Sequence, residues 1–138
     1  GTLTRIGIPH DDFLEERPQL QGWKVKIEGY FAEGSPPAAY WYDFGDDWRH
    51  VVIYEGTSTA EASAKYPRCV GGARRCPPED CGGIHGYADF LEAIADPKHP
   101  EHAEMIEWVG GQYDPDDFNP AAVVFDDPRE RLKALSED

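Results

Sequence analysis

The sequence has no long apolar run, few cations and only three cysteines. No stretch approaches the roughly 18 apolar residues that a membrane-spanning helix needs. The N-terminus lacks the basic flank and apolar stretch of a signal peptide. An odd number of cysteines in a chain of this length argues against a disulfide framework. Reduced thiols in a cytoplasmic protein are the simpler interpretation.

Positive charge is scarce, because Lys and Arg number 13 against 27 for Asp and Glu, a formal net charge of −14. Phosphate contacts need clustered cations, so the balance argues against nucleic acid as a partner, and we expect no binding to duplex DNA. Anionic membranes are excluded as partners on the same ground. The one basic group is typical of cations that neutralise neighbouring acids. It comprises Lys65, Arg68, Arg74 and Arg75.

What the chain does contain is enough apolar and aromatic material to fold. Hydrophobic residues make up 40% and aromatic residues 12% of the 138 residues, which argues against intrinsic disorder. The length predicts a single domain over residues 1–138. The 14 glycines and 12 prolines predict extensive loops, and His10–Glu16 is expected to be a polar loop or a single helical turn.

The clearest local pattern lies between Ala39 and Glu55, where two β-rich runs flank a Gly-Asp-Asp turn and predict a hairpin. A three-residue loop places Tyr42 opposite His50, Phe44 opposite Trp48 and Tyr40 opposite Val52. It also places Asp43 opposite Arg49 on the other face. This register separates aromatic from ionic pairs, and both kinds stabilise a sheet. It puts Asp47 in the left-handed region, which Asp tolerates.

Helical spacing and stop signals predict helices over residues 86–95, 100–109 and 129–135. Asp96-Pro97 ends the first helix, and Gly110-Gly111 ends the second. Alternation over Trp23–Ile27 predicts a half-buried strand, and Ala121–Phe125 predicts a short strand or extended segment. The fold class that follows is α+β, with an antiparallel sheet built on a central β-hairpin and packed against two or three helices.

Two groups of residues are candidates for chemistry. Asp43, Asp46 and Asp47 at the hairpin turn, with His50, could act as acid and base or bind a hard cation, although a turn rich in Asp explains the three acids equally well. Cys69, Cys76, Cys81 and His85 have the spacing C-x6-C-x4-C-x3-H. These four soft ligands could bind zinc, but the close C-x2-C spacing of zinc ribbons is absent. Packed structural thiols, a Cys69–Cys76 thiol pair and a reactive thiol remain the alternatives.

Several blocks of the sequence are similar to the plasmid pRiA4b ORF-3-like family, over roughly residues 6–125. The Tyr-Asp-Phe-Gly-Asp block and the Cys-Pro-Pro-Glu-Asp block are the most specific. The similar segments are Pro9–Phe13, Tyr42–Trp48 with His50, Tyr66–Cys69, Cys76–Gly83, Gly86-Tyr87, Phe90–Ile94, Asp96-Pro97 and His99.

The resemblance implies kinship with proteins of plasmids, chromosomes and insertion sequences, some of which carry a resolvase-like label. It also implies that this chain lacks a preceding segment that relatives usually carry. A serine recombinase needs a basic DNA-binding module, which this sequence does not offer. We therefore expect a non-catalytic interaction or accessory protein with a protein partner and no cofactor. The alternative is a metal-dependent or thiol enzyme that uses the loop of Cys69, Cys76 and Cys81, hereafter the cysteine loop, with His50, Asp43 and Asp46. In that case zinc is the expected metal.

Overall fold

The computed structural model describes residues 4–7 and 19–136, with side chains except at positions 19, 132 and 134–136. The loop or helical turn predicted at His10–Glu16 lies outside these residues. The strands are β1 (Arg5–Gly7), β2 (Gln19–Gln21), β3 (Ala38–Tyr42) and β4 (Trp48–Val52). The helices are α1 (Gly83–Ala95), α2 (His102–Trp108) and α3 (Pro128–Ser136). The fold is α+β, as predicted. None of the described helices is long and apolar enough to cross a membrane.

The chain divides into two compact units. The first unit contains the described residues up to Pro37, the segment Ile53–Thr59 and the residues from Asp126 onward. In it β1 pairs with β2 in parallel, with Ile6 opposite Leu20. Helix α3 begins where the Asp127 carboxylate accepts a hydrogen bond from the Arg129 amide at 2.8 Å, which is a normal helix cap. The second unit contains residues 38–52 and 60–125.

The strand predicted over Trp23–Ile27 is wrong. The segment forms two 3-10 turns instead, at Gly22–Lys24 and Ile27–Gly29. The backbone amides bond locally, from Val25 to the Gly22 carbonyl at 3.2 Å and from Tyr30 to the Ile27 carbonyl at 2.9 Å. A strand needs a neighbouring strand for its backbone groups, and in the described part of the chain no strand pairs with this segment. The alternation of side chains alone could not supply one.

The hairpin of β3 and β4 forms where it was predicted, but its register differs by two residues. Tyr40 lies opposite His50, Trp41 opposite Arg49, and Tyr42 opposite Trp48. The loop is therefore five residues long, Asp43–Asp47, rather than three. Because side chains alternate with a period of two, the shift leaves every strand residue on its predicted face. Asp43 and Phe44, which were predicted to lie opposite Arg49 and Trp48, lie in the loop instead. Asp47 has a φ of 53°, in the left-handed region as expected, and Asp43 shares that conformation with a φ of 52°.

The two central helices confirm the sequence pattern in the second unit. Helix α1 extends three residues further toward the N-terminus than predicted, and α2 ends at Trp108 with the amides of Gly110 and Gly111 bonded back to the last turn. Only Phe90 and Ala93 of α1 are fully buried among apolar residues in the described part of the chain. The residues predicted as an extended segment after Pro120 begin instead with a 3-10 turn at Pro120–Ala122.

Aromatic rings surround Phe90 and join the hairpin to the helices of this unit. The Phe90 ring lies 5.1 Å from the Tyr113 ring and 5.7 Å from the Trp108 ring, both edge to face. Tyr87 stacks on it at 6.3 Å, and Trp48 of β4 meets Tyr87 edge to face at 6.4 Å. Such geometry suits the ring quadrupoles. The face of the hairpin that carries Trp48 therefore contacts α1, and the face that carries Trp41 is directed away from it.

Candidate functional site

The acids of the hairpin loop shape the turn. One carboxylate oxygen of Asp43 accepts hydrogen bonds from the amides of Gly45, at 2.9 Å, and Asp46, at 3.3 Å. The Asp47 amide donates to the Asp43 carbonyl at 2.7 Å. Asp residues commonly close turns in this way. Asp47 forms a bidentate ion pair with Arg49, whose guanidinium also lies 5.4 Å from the centre of the Trp41 ring.

Asp46 connects the hairpin loop to the start of α1. Its carboxylate accepts a hydrogen bond from the Gly82 amide at 3.1 Å, although 36 residues separate the two in sequence. Gly82 has a φ of 89° and Gly83 a φ of 69°, a backbone shape that glycine adopts without strain. A Cβ atom on the buried Gly83 would collide with the Asp46 carbonyl. The Gly-Gly pair thus lets the hairpin loop approach the helix closely.

His50 lies apart from these acids along the strand. Its Nδ1 is 3.3 Å from the Tyr40 carbonyl across the hairpin, and its ring centre is 5.5 Å from that of Tyr40. The predicted acid–base group of Asp43, Asp46 and His50 is thus distributed over a turn, a helix contact and a strand pair. All three candidates have backbone partners, which accounts for their positions.

The cysteine loop contains three free thiols. The Cys69 thiol donates to the Gly71 carbonyl at 3.5 Å, and the Cys81 thiol lies 4.0 Å from the Gly83 carbonyl. Burial raises the pKa of the Cys81 thiol, and the nearby Asp46 carboxylate raises it further. Cys76 and His85 are exposed. Within residues 4–7 and 19–136 no three His, Cys, Asp or Glu side chains form a group suited to a metal ion.

The cysteine loop is held by the segment that follows α2, a contact that the sequence did not reveal. The Arg75 amide donates to the Pro115 carbonyl at 2.9 Å, and a Cβ atom on Gly72 would lie 2.6 Å from the Phe118 ring. Arg74 pairs with Asp116 at 3.9 Å. Glycine at position 72 therefore admits the aromatic ring. The sequence contains no pattern from which a contact between a glycine in one loop and an aromatic residue in another could be predicted.

The basic group of this loop is engaged by its own neighbours. Arg68 pairs with Glu61 at 3.1 Å, and the Arg75 guanidinium lies 4.8 Å from the centre of the Tyr113 ring. With the Arg74 pair, three of the four cations have a partner close by. Two of these partners, Glu61 and Asp116, are acids, which agrees with the interpretation that the cations neutralise surrounding acids.

Tyr113 is the polar centre of the aromatic cluster. Its hydroxyl donates to the Cys76 carbonyl at 3.0 Å and lies 3.2 Å from the Tyr87 hydroxyl. Because its one proton goes to Cys76, Tyr87 is the donor in the second bond. Burial raises the pKa of Tyr113 well above its ordinary value of 10.0. The neutral phenol is therefore the form that the fold stabilises.

This makes the protein sensitive to alkaline pH. A phenol whose pKa is raised in the folded state contributes its full stability below about pH 10 and loses it as the pH rises toward the folded pKa. We expect the free energy of unfolding to fall above about pH 10. The Tyr113→Phe variant should have a free energy of unfolding about 1 kcal/mol lower than that of the wild-type protein at neutral pH. Its free energy of unfolding should fall less steeply above about pH 10. Urea denaturation at a series of pH values measures both effects.

The Tyr40→Phe variant is the control, because it removes a phenol and leaves the bond between Tyr113 and Cys76 in place. Its free energy of unfolding should fall with pH above about pH 10 as steeply as that of the wild-type protein. If the free energy of unfolding fell equally steeply with pH for Tyr113→Phe and for the wild-type protein, this role of the hydroxyl would be contradicted.

The hairpin presents large side chains to solvent. Trp41 is 46% exposed and Val51 is 72% exposed, and both lie on the face directed away from α1. On the other face, the Tyr42 hydroxyl donates to both oxygens of Glu79, at 3.0 and 3.1 Å. This hydrogen bond raises the pKa of Tyr42, so the phenol stays a donor. Sequence reasoning assigned Tyr42 to a strand face and identified none of these residues as part of a surface site.

The family pattern described as plasmid pRiA4b ORF-3-like protein matches residues 2–122, which is most of the chain. The chain belongs to the pRiA4b ORF-3-like family. The two blocks that carried the resemblance meet in space, because Asp46 of the first binds the Gly82 amide of the second. In this family member, the paired blocks therefore form the junction between the hairpin loop and helix α1.

Two similar proteins extend the comparison. The uncharacterised protein y4hQ of Sinorhizobium fredii (strain NBRC 101917 / NGR234) is 42% identical over 92 residues, which cover 67% of this chain and 45% of that protein. The crystal structure of MM3350 from Methanosarcina mazei Go1, a protein of unknown function, is similar with a TM-score of 0.76 and 36% identity. That match covers 87% of this chain and 64% of the MM3350 chain. This chain thus spans less than half of y4hQ and under two thirds of MM3350.

Proposed function

We propose that this chain is a non-catalytic interaction domain that presents the hairpin of β3 and β4 to a protein partner. The observation that carries the proposal is the outer face of the hairpin, where Trp41 and Val51 are 46% and 72% exposed. Large apolar side chains that are adjacent and solvent-exposed are typical of protein contact surfaces. Tryptophan and arginine are also the residues most often found at the energetic centre of such contacts, and Arg49 lies opposite Trp41.

The local roles of the polar candidates support a non-catalytic function. Asp43 shapes the loop, Asp46 binds the Gly82 amide, and His50 lies against the Tyr40 carbonyl. A general acid or base needs a position from which it can reach a substrate proton. These three side chains are instead satisfied by backbone groups of their own unit, and each accounts for a feature of the fold.

The charge of the chain supports a protein partner rather than nucleic acid. The net charge is −14, and the cations of the cysteine loop pair with acids or rings nearby. Nucleic acids are bound mainly through cation–phosphate contacts. The three free thiols support a reducing compartment, so we propose the cytoplasm. The family description names a plasmid, and an accessory role for a mobile genetic element is part of this proposal.

A photo-crosslinking amino acid tests the surface directly. Placed at position 51 in the native host, it should give one discrete protein adduct, because Val51 lies at the proposed contact. The matched control is position 70, since Val70 is also a valine, is 83% exposed and lies outside the hairpin. It should give no discrete adduct. Adding Trp41→Ala should remove the adduct at position 51 if that adduct depends on the outer face.

The proposal fails if positions 51 and 70 give the same pattern of adducts. It also fails if the adduct at position 51 is unaffected by Trp41→Ala, since the apolar face would then not determine binding. Circular dichroism of each variant confirms that the fold is retained.

A further inference from the structure

We propose that the free edge of β3 binds an extended partner segment in which basic and apolar side chains alternate. The inference rests on the proposed function and names the chemistry of the partner at the same surface. It depends on three features of the described residues: a strand edge without a strand partner among them, two faces of different chemistry, and an excess of acids in the hairpin loop and in the turn that carries Glu79.

Among residues 4–7 and 19–136, β3 pairs only with β4, so its other edge has no strand partner among them. The outer side of such a strand carries backbone N–H and C=O groups without strand partners, which an incoming strand can satisfy. Proteins use this mode to bind extended peptides, with backbone bonds for affinity and alternating side chains for specificity. A two-stranded sheet is marginal by itself, so a third strand would also stabilise it.

The two faces of β3 differ in what they offer to a neighbouring strand. Trp41 is directed to the outer face, where its ring lies beside the Arg49 guanidinium. Tyr40 and Tyr42 are directed to the opposite face, and Glu79 accepts the Tyr42 hydrogen bond there. Side chains of an added strand alternate in the same way. Apolar side chains would therefore pack against Trp41, and the intervening ones would lie beside the tyrosine hydroxyls and Glu79.

The charge around the hairpin decides what those intervening side chains should be. Five acids lie in the hairpin loop and in the turn that carries Glu79, and the one cation of the hairpin, Arg49, is already paired with Asp47 at 2.9 Å. The acids are Asp43, Asp46, Asp47, Glu79 and Asp80. Lys or Arg side chains would be attracted to this region, whereas an acidic strand would be repelled.

The same charge argues against a second copy of this chain as the occupant. Each copy carries a net charge of −14, so two copies that meet at their hairpins would bring the acidic loops together. Such self-repulsion keeps highly charged proteins apart. The favoured occupant is thus a different polypeptide, basic on one face and apolar on the other when extended.

Three labelled peptides of about ten residues, near the upper length of ordinary strands, test the proposal with the full chain. The first alternates lysine with valine and isoleucine, the second replaces each lysine by glutamate, and the third has the composition of the first with its lysines in one block. Fluorescence anisotropy should show binding of the first at least about tenfold tighter than binding of the other two. Its affinity should fall as salt is added, because exposed charges are screened.

Glu79→Gln and Glu104→Gln form a matched pair of variants. The first keeps a hydrogen-bond acceptor for Tyr42 and removes the charge, so it should lower the affinity for the lysine peptide about threefold to tenfold. The second removes a charge from the exposed surface of α2 and should leave the affinity unchanged. In NMR spectra the peptide should shift the amide signals of Ala38–Tyr42 more than those of Trp48–Val52, because it lies beside β3.

If the lysine and glutamate peptides bound equally well, the proposal of a basic partner would be wrong. If the peptide with its lysines in one block bound as well as the alternating peptide, the proposal of a strand-like pattern would be wrong. Failure of all three to bind overturns the inference, while a Trp41-dependent crosslink at position 51 would still uphold the proposed function. If sedimentation showed a dimer of this chain that dissociates in the Trp41→Ala variant, the inference would be overturned, because the occupant would then be a second copy. Loss of both the peptide binding and the crosslink would contradict both proposals.

Discussion

Replacing Gly86 by alanine should cost about 3 kcal/mol or more of unfolding free energy. A Cβ atom at this position would collide with the Cys81 carbonyl oxygen, which is backbone and cannot rotate away. The first turn of α1 would have to move, although its Gly86 amide bonds to the Gly82 carbonyl at 3.2 Å. That movement would disturb the contact between Gly82 and Asp46. Urea denaturation followed by circular dichroism measures the loss.

Gly71→Ala is the matched control for this prediction. A Cβ atom at Gly71 would meet nothing within 4 Å, and this residue is not among the glycines with positive φ. The variant should stay within about 0.5 kcal/mol of the wild-type protein. If Gly86→Ala also stayed within that margin, the close approach of the cysteine loop to α1 would be disproved. Failure of Gly86→Ala to fold, with normal folding of Gly71→Ala, is the extreme form of the expected result.

Phe90→Ala should destabilise the protein by about 3–5 kcal/mol, the usual cost of removing a buried aromatic ring. Phe90 is 3% exposed, and its ring contacts those of Tyr87, Trp108 and Tyr113. Its loss would leave a cavity at the point where α1, α2 and the segment after α2 meet. Because native stability is about 5–15 kcal/mol, this change alone could leave the protein largely unfolded at 37 °C. Thermal and urea denaturation measure the effect.

Phe125→Ala makes the same chemical change at a residue that is 47% exposed. It should lower the free energy of unfolding much less than Phe90→Ala does, since about half of the side chain already contacts water. Near-ultraviolet circular dichroism adds a second measurement, because removal of Phe90 should weaken the signal of the surrounding tyrosine and tryptophan rings. Similar losses of stability for the two variants would show that Phe90 does not organise the core.

The hairpin illustrates how far the sequence could predict local structure. Its position and the faces of its strand residues were predicted correctly, but the register was wrong by two residues, and Asp43 and Phe44 lie in the loop. A shift of two preserves every face, so arguments from side-chain type cannot distinguish the registers. The Asp43 carboxylate decided between them, because it accepts the amides of Gly45 and Asp46 and closes a longer loop.

The candidate site was less predictable because its contacts span long sequence separations. The sequence marked Asp46 as a potential catalytic acid and the Gly82-Gly83 pair as part of a family block. It gave no sign that the two meet, at a sequence separation of 36. Similarly, the spacing of Cys69, Cys76 and Cys81 left packed thiols, a thiol pair, a reactive thiol and zinc open. It did not indicate that Pro115 and Phe118 hold the loop that contains them.

The sequence by itself determined the helices, the hairpin and the family. Helices α1 and α2 follow from apolar spacing and from local stop signals, which act over a few residues. The tertiary structure alone decided that Trp23–Ile27 is no strand, that the loop acids bind backbone amides, and that Trp41 and Val51 remain exposed. The physical reason is the same in each case. A strand, a polar partner and a buried face all require a second segment, and only folding brings that segment into reach.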